Sequence, residues 1–288
     1  MPLRLPRLLP ERPQRSGCGE AFAPTEWSRP ELRLLSFNMQ AGMAIHAPHH
    51  YLTRGHRHLF PHRQQHNHLN NIAQLLQHYD IIALQEVDGG SLRSGYTHQL
   101  MHLAEQAGFP WWYQQLNRDL GHLGQFSNGL LSRQAPWSVE AHTLPGLKGR
   151  GLILSRFGSP QAPLLILNIH LALSTRGRRQ QLQFIHTLIA DAAHVVLMGD
   201  LNCSPEELKQ SPLGQRDWHW PETTLATYPS WKPSRQIDHI LVSRSLPIPK
   251  AQVLENQLSD HRPLAVELVL PPELYLPPQE LILPPHYT

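Results

Sequence analysis

"HVVLMGDLNCSP" spans residues 194–205, and its two halves obey different rules. Val195, Val196, Leu197 and Met198 form an apolar run with two β-branched residues, the pattern of a core strand. Gly199, Asp200, Leu201 and Asn202 then set a carboxylate and a carboxamide two residues apart at its carboxyl end. In open α/β sheets, ligands collect just beyond such strand ends. If Asp200 and Asn202 are working groups, other strand ends must supply polar partners.

Working outward, five further runs read as strands: 32–38, 80–87, 164–170, 236–243 and 263–270. Helical spacing lies between them. In 64–79 the apolar positions Leu69, Ile72, Leu75 and Leu76 recur with that period, and in 174–193 Leu182, Ile185, Leu188 and Ile189 do the same. Ser174 or Thr175 caps the start of the second segment. This pattern predicts one α/β domain over about 31–270. Residues 1–30, rich in proline and arginine, read as a poorly ordered arm. The tail 271–288 carries six prolines in three pairs, which excludes a regular helix or a central strand. Leu276, Leu281 and Leu283 would dock it as an extended segment, unless it is loose. No repeat of 20–50 residues is present.

The bulk composition excludes several classes. The chain has 288 residues, 40% hydrophobic and 16% charged, with a formal net charge of +3. That length buries a sizeable core. Cys18 and Cys203 are its only cysteines; they form neither a metal spacing nor a disulfide framework, which suits a reducing cytosol and a cytoplasmic setting. No stretch approaches 18 apolar residues, so no transmembrane helix is expected. The proline-broken start "MPLRLPRLLPERPQRSG" does not read as a cleaved secretory signal. Of the 25 basic residues 21 are arginine, whose forks match phosphate oxygens. No GxSxG, HExxH or GxxxxGK[ST] string occurs, so the serine hydrolase, zincin and P-loop readings lack their markers. A monomer is the default expectation.

The strand ends carry the chemistry. Asn38 closes the first strand in "SFNMQ", and Glu86 the second in "LQEVD". "LNIHLAL" gives Asn168 and His170, and "QIDHILVS" gives Asp238. "LSDHRPL" places Ser259, Asp260 and His261 just before the last strand. An isolated Asn after a strand is ordinarily a turn former, and an isolated Asp a helix cap. Five apolar runs each delivering an Asn, Asp, Glu or His make a pattern. Carboxylates and carboxamides are hard oxygen ligands suited to Mg²⁺ or Mn²⁺. A carboxylate near phosphorus takes a proton from water, and a His held by an Asp stabilises the phosphate oxygens. Hydrolysis of a phosphate ester fits that set.

The ordered series "SFNMQ … LQEVD … SNGLLSR … LNIHLAL … GDLNCSP … QIDHILVS … LSDHRPL" resembles the endonuclease/exonuclease/phosphatase superfamily over about residues 31–270. The resemblance implies a four-layer α/β sandwich of the DNase I-like type, with two mostly antiparallel sheets packed face to face and helices outside. It implies that Glu86 and Asn38 hold a divalent metal, Mg²⁺ or Mn²⁺, with Asp260 supporting the metal or the histidine. By the same resemblance Asp200 orients or deprotonates the attacking water, and Asn202 binds the scissile phosphate. Asp238 pairs with His261, whose ring meets a phosphate oxygen. Asn168 and His170 become phosphate contacts, and Asn128 braces the site.

Substrate identity stays open at this level. A phosphodiesterase acting on nucleic acid, slightly preferred, stands beside a phosphoesterase acting on phospholipid or inositol phosphate, and a non-catalytic binding module is disfavoured by the intact polar set. The compact "TYPSWKPSRQIDHIL" (227–241) weakens a DNA-repair reading and offers Trp231, Lys232 and Arg235 as contacts. "HAPHHYLTRGHRHLFPHRQQHNH" (46–68) holds eight of the 20 histidines. It is a recognition loop, an auxiliary metal site or a solvated helix entry. Arg93 or Tyr96 after Glu86, and Arg178 with Arg176 and Arg179 after His170, are candidate phosphate contacts; Arg118 and Arg150 are lesser ones.

Overall fold

The computed structural model describes residues 14–18, 27, 29–42, 65–146, 148–221 and 224–274. Most of the histidine-rich insert and the tail from residue 275 lie outside them, as do Leu276, Leu281 and Leu283. Thirteen strands follow in chain order: β1 (Gln14–Cys18), β2 (Glu31–Asn38), β3 (Ile81–Asp88), β4 (Trp111–Asp119), β5 (Gln125–Ser132), β6 (Ser138–Thr143), β7 (Gly151–Ser159), β8 (Ala162–His170), β9 (His194–Asp200), β10 (Trp218–His219), β11 (Asp238–Ser243), β12 (Lys250–Val253) and β13 (Leu264–Val269). Among the described residues four α-helices accompany them: α1 (Gln65–Leu76), α2 (Gln99–Ala107), α3 (Thr175–Leu188) and α4 (Pro205–Lys209).

One sheet runs β1-β4-β5-β3-β2-β13-β12 and the other β10-β11-β9-β8-β7-β6. Among the described residues only β2/β3 and β8/β9 pair in parallel; every other ladder is antiparallel. Parallel neighbours need a crossover. Here α1 links β2 to β3 and α3 links β8 to β9, so both helical patterns legible in the sequence are crossover helices.

Strand alternation builds three apolar seams. Leu32, Leu34, Ile81, Ile153, Ile166, Val196, Met198 and Val242 meet between the sheets. Leu35, Phe37, Ile82 and Leu84 turn the other way, onto Leu69, Ile72, Leu100 and Leu103 of α1 and α2. Leu165, Leu167, Val195 and Leu197 pack on Leu182 and Ile185 of α3 and Leu208 of α4. The result is the expected four-layer sandwich, helix–sheet–sheet–helix. Part of the N-terminal arm joins it: β1 lines the edge strand β4, and Trp27 is buried with its ring centroid 6.1 Å from that of Phe157.

The same alternation positions the polar residues. Asn38 shares a face of β2 with Leu32 and Leu34, as Asn168 and His170 share one of β8 with Leu164 and Ile166. Asp200 follows Val196 and Met198 on β9, and Asp238 precedes Ile240 and Val242 on β11. The inward face therefore passes from apolar to polar toward one rim, where β2, β3, β8 and β9 end and β11 begins. Glu86 breaks the rule. Its parity would send it toward α1 and α2, but the β3/β5 register slips between Leu84 and Val87, and Glu86 takes φ 57°. That bulge re-aims its carboxylate to the rim.

Candidate active site

Asp200 is the hub. Its Oδ2 accepts a hydrogen bond from Asn38 Nδ2 at 3.0 Å and lies 3.5 Å from His170 Nε2 and 3.9 Å from His261 Nε2. Its Oδ1 accepts the Asn202 backbone N–H at 3.0 Å, for which Asn202 adopts φ 53°. Asn38 Nδ2 also faces Glu86 Oε1 at 3.5 Å. Asp238 is the cross-strand partner of Asp200, and its Oδ2 binds His261 Nδ1 at 2.8 Å and Thr227 Oγ1 at 2.5 Å. Gly199 permits this crowding. At φ 147° a Cβ there would lie 1.9 Å from the Ile169 carbonyl oxygen, so only glycine lets β9 lie this close to β8.

The electrostatics split the two histidines. Burial opposes charge on His261, but Asp238, Asp200 and Asp260 outweigh it and hold the ring protonated, well above the usual histidine range. His170 is pushed far down by burial, then by Arg150 and His261, and stays neutral. Burial, aided by Asp238, lifts the Asp200 carboxyl to about 7, against the pull of His261 and the Asn38 and Asn202 donors. Arg150 places Nη1 3.4 Å from His170 Nδ1, within the fields of Glu86 and Asp200. Tyr228 tilts its ring over His261, centroids 4.9 Å apart.

A divalent cation fits these donors. Ligand atoms of Asp200, Asp238 and His261 lie within 4.8 Å of one another, and Asp238 Oδ1 is buried with no hydrogen-bond donor among the described residues. Carboxylate and carboxamide oxygens dominate the rim, a hard donor set. His261 Nδ1 is already committed to Asp238, which leaves the Glu86–Asn38–Asp200 corner the more open to a metal.

Several sequence candidates take other duties. Asn168 is fully buried: its Nδ2 donates to the carbonyls of Leu84 and Gly129, and its Oδ1 accepts from Gln85 Nε2, so it ties one sheet to the other rather than facing substrate. Asn128 Nδ2 donates to the Gly151 carbonyl. The Asn202 carboxamide donates to the Leu171 carbonyl, leaving its backbone N–H to orient Asp200. Asp260 Oδ1 accepts from Ser259 Oγ, and its charge acts on His261. Arg93 and Arg178 are corrections. Arg93 is buried against Asp88 and stacks on Phe126, and Arg178 forms a two-pronged pair with Glu207, so neither guanidinium is free for a phosphate. Thr227, Tyr228 and Gln85 were not legible as site residues, since a hydroxyl, a ring and an amide carry no spacing signature. His68, at the end of the insert, bonds the Leu258 carbonyl, and His66 meets His102 edge-on.

Two face-packed sheets with this polar rim define a DNase I-like fold. The chain belongs to the endonuclease/exonuclease/phosphatase family, whose model matches residues 35–261. No curated protein sequence matches it. Solved structures share the fold. A family protein from Bacteroides thetaiotaomicron is 18% identical with a TM-score of 0.60, covering 87% of this chain and 100% of its own. The mannosyl-6-phosphatase Bt3783 of Bacteroides thetaiotaomicron VPI-5482 is 18% identical with a TM-score of 0.61, covering 83% and 100%. TDP2 from D. rerio, complexed with single strand DNA product, is 16% identical with a TM-score of 0.60, covering 83% and 98%. No helix among the described residues is long and apolar enough to cross a membrane.

Proposed function

We propose that the protein is a divalent-metal-dependent phosphoesterase that hydrolyses a phosphodiester by in-line attack of water. One observation carries this: a buried carboxylate, Asp200, stands between a protonated Asp-held histidine and a second carboxylate, Glu86, bridged to it through Asn38. Glu86 and Asn38 hold the cation, with Asp260 in support. When bound, Mg²⁺ or Mn²⁺ supplies charge neutralisation at the phosphate oxygens. Asp200 orients the water and accepts its proton, which suits a carboxyl held near 7. His261, kept charged by Asp238, donates to a phosphate oxygen as negative charge builds there. His170, neutral, positions Asp200 from the other side.

The test is hydrolysis of bis-p-nitrophenyl phosphate with Mg²⁺ or Mn²⁺ and its loss in EDTA. Asp200→Ala and His261→Ala should each lower kcat by roughly 10²–10⁴-fold, the size of a lost acid–base group. Full activity in either variant would remove the mechanism. For the substrate we favour nucleic acid, supported by the likeness to a TDP2 complexed with single strand DNA product. The likeness to a mannosyl-6-phosphatase supports a phosphomonoester as the second reading. A panel of plasmid DNA, abasic oligonucleotide, RNA, sugar phosphates, phosphoinositides and sphingomyelin separates these from the lipid reading.

A further inference from the structure

Arg150 poses a problem that the hydrolytic centre does not answer. Its guanidinium is half-buried and close to His170, yet no carboxylate among the described residues comes within ion-pair distance of it. Arg118 lies beside it, so two like charges face each other at the rim. Glu86 and Asp200 act on Arg150 only through space, without a direct ion pair, and desolvating a cation that no carboxylate touches is costly. A site that does so is built for an anion that arrives from outside.

The surroundings say how long that anion is. Arg118 leaves β4 in one sheet and lays its stem against Gly149, 3.6 Å from where a Cβ would stand. Lys148 and Arg150 sit in the loop joining β6 to β7 of the other sheet. That loop rests on the first turns of α3: Gln181 Nε2 donates to the Pro145 carbonyl at 3.0 Å, and Gln180 Oε1 lies 3.5 Å from a Cβ placed on Gly146. Arg176 and Arg179 project from those same turns. Lys148, Arg118, Arg176 and Arg179 are all exposed, and no acidic side chain pairs with them among the described residues. Asp119, next to Arg118, turns its carboxylate onto the Gly121 N–H. Five cations thus come from three successive layers: one sheet, the other sheet and the helix outside it. At roughly 10 Å per layer they extend over about 20 Å. A single phosphate or a compact headgroup meets one or two of them; a chain of phosphodiesters meets all. Leu173, 74% exposed between His170 and Arg176, adds an apolar face beside the cations, where a base rather than another phosphate would lie.

We propose that Arg118, Lys148, Arg150, Arg176 and Arg179 form a track for a nucleic-acid strand, leading from the reacting centre at His170 across the β6–β7 loop onto α3. Arg150 takes the phosphate next to the scissile one, and the outer four follow the backbone. The proposal rests on the phosphoesterase reading for its polarity but not for its test. Binding of a fluorescein-labelled 12-nucleotide single-stranded DNA, with an RNA of the same sequence as a second arm, is measured by anisotropy in EDTA, where nothing turns over. In Lys148→Ala/Arg176→Ala/Arg179→Ala the dissociation constant should rise at least tenfold. The slope of log Kd against log [NaCl] should fall by about 2, at roughly 0.7 per lost contact to a single strand. Arg150→Gln should weaken binding and lower oligonucleotide cleavage at least tenfold more than bis-p-nitrophenyl phosphate cleavage. An unchanged salt slope in the triple variant overturns the track. So does displacement of the oligonucleotide by inositol hexakisphosphate at a lower concentration than by the unlabelled strand, since that would show a compact pocket. Failure of the wild-type protein to cleave bis-p-nitrophenyl phosphate with Mn²⁺ would defeat the phosphoesterase reading and leave the binding result intact.

Discussion

His261 shows how a single charge is set by its neighbours. Three carboxylates, Asp238, Asp200 and Asp260, outweigh the cost of burying its charged ring. Asp238→Asn keeps the shape of that support and removes the nearest negative charge. Burial then pulls the ring toward or below its ordinary range. Because the protonated ring is the working form, the loss appears on the alkaline side: the upper limb of the kcat/KM profile on bis-p-nitrophenyl phosphate should move to lower pH. The rate at pH 6 should fall much less than the rate at pH 8. A parallel drop at both values would mean that Asp238 acts through structure alone. The Asp238–His261 pair was legible as residue types in sequence, because "QIDHILVS" and "LSDHRPL" both present them after or before apolar runs. Arg93 and Arg178 were legible in the same way and proved to be spoken for. Sequence shows an arginine near a phosphate-competent strand end, but Asp88 and Glu207, which neutralise them, are distinguishable from any other acids only in space.

Among the elements, β8 illustrates how a residue with the right chemistry acquires a mechanical duty. Asn168 is the last fully dry polar residue before the rim, and it reaches Leu84 of β3 and Gly129 of β5 in the facing sheet. Asn168→Ala would take a donor from the Leu84 and Gly129 carbonyls and leave the Gln85 amide only its bond to the Ala83 carbonyl, all in a buried place. At 1–3 kcal/mol for an unmet buried group, and with partial relaxation, the loss should be about 3 kcal/mol in urea unfolding. KM for bis-p-nitrophenyl phosphate should change less than about threefold. Unchanged stability with a raised KM would return Asn168 to the substrate. Strands with continuous apolar runs were readable from sequence, and so were both crossover helices. β7 went unread although Leu152, Ile153 and Leu154 form such a run; other unread elements lacked the signal. β1, "QRSGC", has no apolar alternation and joins β4 by backbone pairing. β6, "SVEAHT", is a half-exposed edge. α2 buries a short stripe around Leu100 and Leu103 that a nine-residue segment barely displays.

For the whole molecule, the polar rim is a concentration of carboxylates that folding must assemble against their mutual repulsion. A cation bound only by the folded state relieves this and stabilises it by mass action, by about 2.7 kcal/mol at a hundredfold excess over Kd. For a domain of this size that is a rise in Tm of roughly 5–10 °C. Mn²⁺ should produce such a rise in the wild-type protein and little in Glu86→Ala or Asn38→Ala; an equal rise in all three would place the cation elsewhere. The fold as a whole was legible because seven motifs arrived in one order. Which sheet each strand joins was not, since β2 pairs with β13 across more than two hundred residues of sequence.

The seam between the sheets has a further role. Ile166, Met198 and Val242 are continuous along their strands with His170, Asp200 and Asp238. Their bulk is therefore the spacer that sets how far apart the reacting groups stand. Trimming one methylene from Met198, two residues before Asp200 but carrying no reacting group itself, should narrow or tilt that gap. Turnover, which depends steeply on such distances, is then a finer gauge of that packing than resistance to heat.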